Sequence, residues 1–183
     1  DLGAGKTTFV KMLAGVLQPD SGAIDAKLKV AYKPQYLDNR SDELVMSLLS
    51  TATQKYHNQL IKPLEIDTLL LKPLNTLSGG ELQRVMIAHC LSQSADLYLL
   101  DEPSAYLDIE QRLAFSKVIR DVVEQRGVSV LIVDHDLLFI DYLSDKIVVF
   151  EGEPARKGHV TGPFDMEEGM NKFLKELGIT LRR

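Results

Sequence analysis

The chain has no tryptophan, a single cysteine, and no apolar run long enough to cross a membrane. Each lack excludes something. With Cys90 alone, neither an internal disulfide nor a cysteine-built metal site can form. That thiol suits a packed position inside a helix, and the thiol-poor composition points to the cytosol. Positive charge is short as well: 21 Lys and Arg against 26 Asp and Glu leave a net charge of −5. That is the wrong sign for a general nucleic-acid binder, so no sequence-specific nucleic-acid contact is expected of this chain alone. The opening residues do not read as a signal peptide. What remains is an ordinary globular balance, 45% hydrophobic and 26% charged over 183 residues, enough for one domain with its own core.

The most informative stretch runs from Leu77 to Asp108. Ser78-Gly79-Gly80-Glu81 precedes a helical pattern and has the form of a capping box, with Ser78 and Glu81 serving each other's backbone N–H. Two glycines in a first turn cost helix stability. They make sense where an anion must approach bare N–H groups and the positive end of the helix dipole, which favours an anion-binding helix start over a plain cap. Further on, Leu97-Tyr98-Leu99-Leu100 reads as a buried strand, ending in the paired carboxylates Asp101 and Glu102. Open α/β sheets place ligands at the carboxyl ends of their strands. Such acids can mark a mere turn. Beside a phosphate-binding loop, they read as a metal-holding Asp and a neighbouring base.

That loop opens the chain. Gly3-Ala4-Gly5-Lys6-Thr7-Thr8 carries the end of the pattern Gly-x-x-x-x-Gly-Lys-[Ser/Thr], whose first glycine would fall one residue before Asp1, so the strand leading into it is expected to be missing. The glycines let N–H groups curl round phosphates, Lys6 reaches the terminal phosphates and Thr7 offers a hydroxyl to Mg²⁺. Phe9, Val10, Met12, Leu13, Val16 and Leu17 follow at helical spacing up to Pro19, and Asp20-Ser21-Gly22 makes a turn.

Leu28-Val30-Tyr32 alternates as a strand, with Gln35 close behind: a polar loop residue, or a group able to reach the metal or an attacking water. From Ser41 to about Leu71 the pattern is helical. Ser41-Asp42-Glu43 suits a helix start, Leu44, Val45, Leu48 and Leu49 form an apolar side, and Pro63 and Pro73 break the region. After Asp108 a long amphipathic helix is expected to about Arg126, with Leu113, Phe115, Val118, Ile119, Val122 and Val123 as core and Gly127 as its stop. Val128–Val133 reads as another buried strand, tipped by Asp134-His135-Asp136. His135 is either structural or a contact for a γ-phosphate. A helix over Leu137–Leu143 and a strand over Lys146–Phe150 close the core. The rest reads as turn-rich up to Pro163, then a short helix from Met166 to Leu177 and an extended end.

Taken together, the phosphate loop, Gln35, Leu77–Glu81, Asp101-Glu102, Asp108 and His135 occur in the order found in the ABC ATPases, which this chain resembles over residues 1 to about 150. The resemblance implies an α/β P-loop NTPase core of the ABC type, with an inserted helical subdomain at about 38–92 and a C-terminal piece at 151–183 that packs on the core or a partner domain. It implies ATP and Mg²⁺ as cofactors. Gly3, Ala4, Gly5, Lys6, Thr7 and Thr8 would hold the nucleotide; Thr7, Gln35 and Asp101 the metal. Glu102 would polarise the attacking water, with Gln35 and His135 completing the site. Ser78, Gly79, Gly80 and Glu81 would serve the ATP of a second ABC domain placed head to tail, and Asp108 would lie at the seam.

Within that family, Tyr32-Lys33-Pro34-Gln35, Ser104–Asp108, Phe150–Pro154, Glu168–Leu174 and Gly178-Ile179-Thr180 resemble the second ATPase domain of the E subfamily, also called RNase L inhibitor. That subfamily comprises soluble ribosome-recycling ATPases. The resemblance implies a cytoplasmic twin-ATPase that splits ribosomes by closing two domains on ATP, with the small ribosomal subunit and termination or recycling factors as partners and no membrane contact. The alternative is the cytosolic ATPase subunit of an ABC membrane transporter, against which the C-terminal tail argues. A chromosome or DNA-repair head would need a long coiled coil between Thr7 and Leu77, where Pro19, Pro34, Pro63 and Pro73 stand instead. A non-hydrolysing nucleotide clamp would have no use for Glu102.

Overall fold

In the computed structural model the described residues are 29–35, 38–134, 136, 139 and 143, with the backbone of 146–153 and 157–165. Three parallel strands, β1 (Val30–Lys33), β2 (Leu97–Asp101) and β3 (Ser129–Val133), lie in the order β1-β2-β3. The register pairs Lys33 with Leu100 and Asp101 with Val133, which brings the carboxyl ends of all three strands to one edge. β2 is central, and its residues from Tyr98 to Asp101 are buried. A strand covered on both faces has no solvent side to alternate with, hence the unbroken apolar run in the sequence.

Between β1 and β2 the chain builds a helical arm. It comprises α1 (Val45–Leu48), α2 (Ser50–Lys55), a π-helical turn at His57–Ile61, and short 3₁₀ turns at Asp67–Leu69 and Leu74–Thr76. The expected breaks near Pro63 and Pro73 are present, but the expected start is not. Ser41–Glu43 do not cap a helix; the first helix begins at Val45, with Leu44 before it and no side-chain cap. The carbonyls of Ser41 and Glu43 accept instead from the N–H groups of Asn75 and Leu74, and Leu44 bridges Pro73. A backbone whose polar groups are used by a neighbouring segment has none left to begin a helix.

The arm leads into α3 (Gly79–Ser92), which packs against β1 and β2. Cys90 is buried there as expected, and burial pushes its thiol up to about 12, opposed by nearby Lys33. Next comes α4 (Ile109–Arg126), capped by Asp108 and stopped by Gly127 in the left-handed conformation, φ 64°. Phe115, Val118, Ile119 and Val122 enter the core, and the Phe115 ring stacks on Phe139 at 5.6 Å. Two residues expected there do not: Leu113 faces away from Phe115 around the helix, and Val123 sits at the margin of the buried stripe, leaving both exposed.

The last described elements correct a further expectation. Lys157–Asp165 is not a string of turns but a strand, β5, antiparallel to β4 (Lys146–Glu153). The register shifts between Ile147↔Phe164 and Val149↔Thr161, which sets Gly162-Pro163 against one residue of β4, one extra residue in β5. A bulge is where a strand tolerates a proline, since the missing donor falls at an interrupted ladder. The expected helix at Met166–Leu177, the loop from Asp1 to Thr8 with its following helix, and most of Leu137–Leu143 lie outside the described residues.

Candidate functional site

At the end of β2, Asp101 is only 2% exposed, and its carboxylate accepts a hydrogen bond from the Tyr32 hydroxyl. Burial first, then the charge of Asp101 and that bond, push the Tyr32 phenol up to about 12. Lys33, at the tip of β1, is buried too and donates its Nζ to the Asp101 carbonyl at 2.8 Å. Burial pushes this ammonium down to about 8, against the pull of Asp101 and then of Cys90, Asp134 and Glu102. A cation so buried is tolerated only where anions and acceptors surround it.

Glu102 stands one residue on, in the left-handed region at φ 47°. For a residue with a Cβ that conformation is strained, by roughly 1–3 kcal/mol, and persists only where its surroundings over-determine it. Here they do. The Glu102 N–H donates to the Val133 carbonyl at 2.7 Å, and its own carbonyl accepts from Gln83 Nε2 at 2.8 Å and from the Ala105 N–H at 3.3 Å. The side chain is fixed as well: Gln35 Nε2 donates to Glu102 Oε2 at 2.8 Å. The structure thus brings together Gln35 and Glu102, which are far apart in sequence, next to Asp101.

Beyond Pro103 the chain turns sharply. Asp134, at the tip of β3, accepts from the Ser104 N–H at 3.0 Å and from Ser104 Oγ at 2.9 Å, tying the turn to the sheet. Asp134 also accepts from the Asp136 N–H at 3.0 Å, and Asp136 is ion-paired with Arg112. At the crest, Tyr106 is again left-handed, φ 63°, and 79% exposed.

Tyr106 supplies a reason for the glycines at 79–80 that the sequence did not offer. A Cβ on Gly79 would lie 3.1 Å from the Tyr106 ring, and one on Gly80 only 2.8 Å from the Tyr106 carbonyl oxygen. Glycine lets the turn close onto the helix start. The capping box that the sequence reading ranked second is built in full: Ser78 Oγ accepts from the Glu81 N–H at 3.3 Å and Glu81 Oε2 from the Ser78 N–H at 2.8 Å. Glu81 Oε1 accepts from Lys72 at 2.9 Å. The Lys72 and Ser78 bonds hold the Glu81 carboxyl at about 2, well below the usual carboxylate range. Asp108 caps α4, accepting from the Gln111 N–H at 2.8 Å. Gly3, Ala4, Gly5, Lys6, Thr7, Thr8 and His135 lie outside the described residues.

The donor set suits Mg²⁺. A carboxylate from Asp101 and the amide oxygen left to Gln35, once its nitrogen is given to Glu102, are hard oxygen ligands. Among the described residues no cluster of three His, Cys, Asp or Glu side chains could enclose a metal unaided. Gln83 is not singled out by the sequence, and Lys33, Ser104, Tyr106 and Asp134 enter only as members of motifs, without a role. Their roles are set by partners distant in the chain.

Comparison with known proteins follows the same lines. The profile described as ABC transporter matches residues 2–105. An uncharacterised ABC transporter ATP-binding protein of Methanocaldococcus jannaschii is 51% identical over 99% of this chain and 31% of its own length. Translation initiation factor RLI1 of Saccharomyces cerevisiae is 43% identical over the same shares. A crystal structure of the archaeal ribosome recycling factor with the ribosomal stalk protein aP1 superposes with a TM-score of 0.91 at 53% identity, covering 99% of this chain and 36% of that one. The chain belongs to the ABC family and has its ATP-binding, ATPase-type P-loop fold. It spans about a third of the length of the relatives it matches.

Proposed function

We propose that this chain is the Mg²⁺-dependent, ATP-hydrolysing second ABC domain of a cytoplasmic ribosome-recycling factor. It would work against another ABC domain placed head to tail. One observation carries the enzymatic part: Glu102, locked in a left-handed conformation beside buried Asp101, points its carboxylate at the Gln35 amide, 2.8 Å away. A carboxylate so fixed at a sheet's carboxyl edge can orient a water and take its proton as the bond to the γ-phosphoryl group breaks. Phosphoryl transfer needs little covalent help from the protein, so positioning and charge neutralisation are the work to be done. Asp101, Gln35 and Thr7 would hold Mg²⁺, which when bound spreads the charge gathering on the phosphate oxygens. The phosphate loop would grip ATP in cis, and Ser78, Gly79 and Gly80 would meet the ATP of the partner domain.

The ribosomal destination is supported by identity that runs through 99% of this chain to proteins described as a translation initiation factor and a ribosome recycling factor, well beyond the 2–105 match to the wider family. Partners would then be the small ribosomal subunit, termination or recycling factors and the second ABC domain. The test is sedimentation of ribosomes incubated with the complete factor. Free subunits should appear with ATP and not without it, and intact ribosomes at saturating factor and ATP would contradict the reading.

A further inference from the structure

Gln83 is 1% exposed on the second turn of α3, and its amide nitrogen donates to the Glu102 carbonyl at 2.8 Å. We infer that Gln83 is a positioning residue, the strut by which the start of α3 sets the attitude of Glu102. The inference rests on the reading of Glu102 as the residue that polarises water. Stability alone does not account for the side chain. The carbonyl it serves already accepts from the Ala105 N–H, while Gln83 Oε1 is buried with no hydrogen-bond partner among the described residues. An apolar side chain of the same shape would avoid that orphaned oxygen. What only the amide provides is a directed bond to a strained backbone unit.

The placement gives the bond its purpose. One turn before Gln83, Gly79 and Gly80 press against Tyr106, so α3 touches the 102–107 turn at both of its ends. A shift of the helix start against that turn must move Glu102 or break the Gln83 bond. Whatever seats on Ser78–Gly80 is thereby reported to the hydrolytic residue of the same chain.

Gln83→Met tests this in the complete, paired protein, because methionine keeps the length and volume but cannot donate. The turnover number should fall about tenfold to a hundredfold, as misplacement of a catalytic group does, with KM for ATP held within about twofold and the thermal midpoint unchanged. Gln83→Glu, which also lacks the donor, should lose turnover likewise. In a Glu102→Gln background the Gln83→Met change should add less than about twofold, since both act through one group. Wild-type turnover in Gln83→Met, or losses that multiply in the double variant, would overturn the inference. So would a fall in thermal midpoint for both Gln83 variants that accounts for the lost activity. If Glu102→Gln itself turns over ATP normally, the reading of Glu102 has failed, and the inference with it.

Discussion

Between Val45 and Ile66 the chain passes through short helices that lack side-chain caps, and a π turn, yet Val45, Leu49, Ala52, Leu60, Ile61 and Ile66 are all fully buried. At the carboxyl edge of the sheet the buried residues are of another kind: Lys33, Asp101, Ser104 and Asp134. The arm is held by apolar area, roughly 1.5–3 kcal/mol for each fully buried large side chain, and that force is indifferent to direction. The edge is held by directed bonds between buried charges and backbone groups. It carries two of the three left-handed non-glycine residues among those described, Glu102 and Tyr106, which apolar packing alone would relax. A fold can afford irregular helices where only a core is needed. The arm has one strained residue, exposed Glu65 (φ 53°), whose carbonyl and that of Leu64 accept from buried Arg84; the edge concentrates more strain and buried charge, where atoms must be aimed.

This contrast can be broken in graded steps. The largest stability effect is expected from Asp134→Ala, which removes the acceptor for the Ser104 N–H, Ser104 Oγ and Asp136 N–H. Urea unfolding should show a loss of about 4 kcal/mol, and ATP turnover should fall further than the unfolded fraction explains. Leu60→Ala in the arm should cost about 3 kcal/mol by the same measurement, with turnover per folded molecule unchanged. A smaller, more local loss is expected of Gly80→Ala, about 2 kcal/mol, because its Cβ would meet a backbone oxygen. Gly79→Ala should cost less, because a tyrosine ring can swing aside. Equal penalties at the two glycines would undo the account of the turn.

Acid should separate the helix start from both regions by the smallest margin. The Glu81 carboxyl is held at about 2 against an ordinary 4.5. Its contribution is therefore complete above about 4.5 and fades as pH falls from there toward 2. The Lys72–Glu81 pair is half open to water and correspondingly weak. Lys72→Met should shorten that acid limb of a stability-versus-pH curve by lowering stability slightly, by less than about 1 kcal/mol, above it, and leave the acid end unchanged.

Much of the scaffold could be read from residues that act locally. Leu97–Leu100 announced a buried strand, Asp108 and Gly127 bracketed α4, and the order of motifs named the family. What stayed hidden depends on contacts between distant segments. Ser41–Glu43 looked like a helix start until Leu74 and Asn75 claimed their backbone. Pro163 looked like a turn because its tolerance at a bulge depends on a partner strand. Gln83 looked like any polar residue on a helix, since nothing within one turn of it reveals that Glu102 lies opposite. The Gly79-Gly80 pair was noticed, but its contact with Tyr106 was not, because that turn reaches back across α3.

The central claim is that Glu102 is the group that turns bound ATP into a hydrolysed product. It is tested most directly by adding labelled ATP to the Glu102→Gln variant of the complete protein, and following turnover and retained nucleotide together. Loss of a general base should lower turnover by a factor of about 10²–10⁴ while ATP remains bound and unhydrolysed in the closed protein. Turnover at the wild-type rate, or a variant that no longer holds ATP, would contradict it.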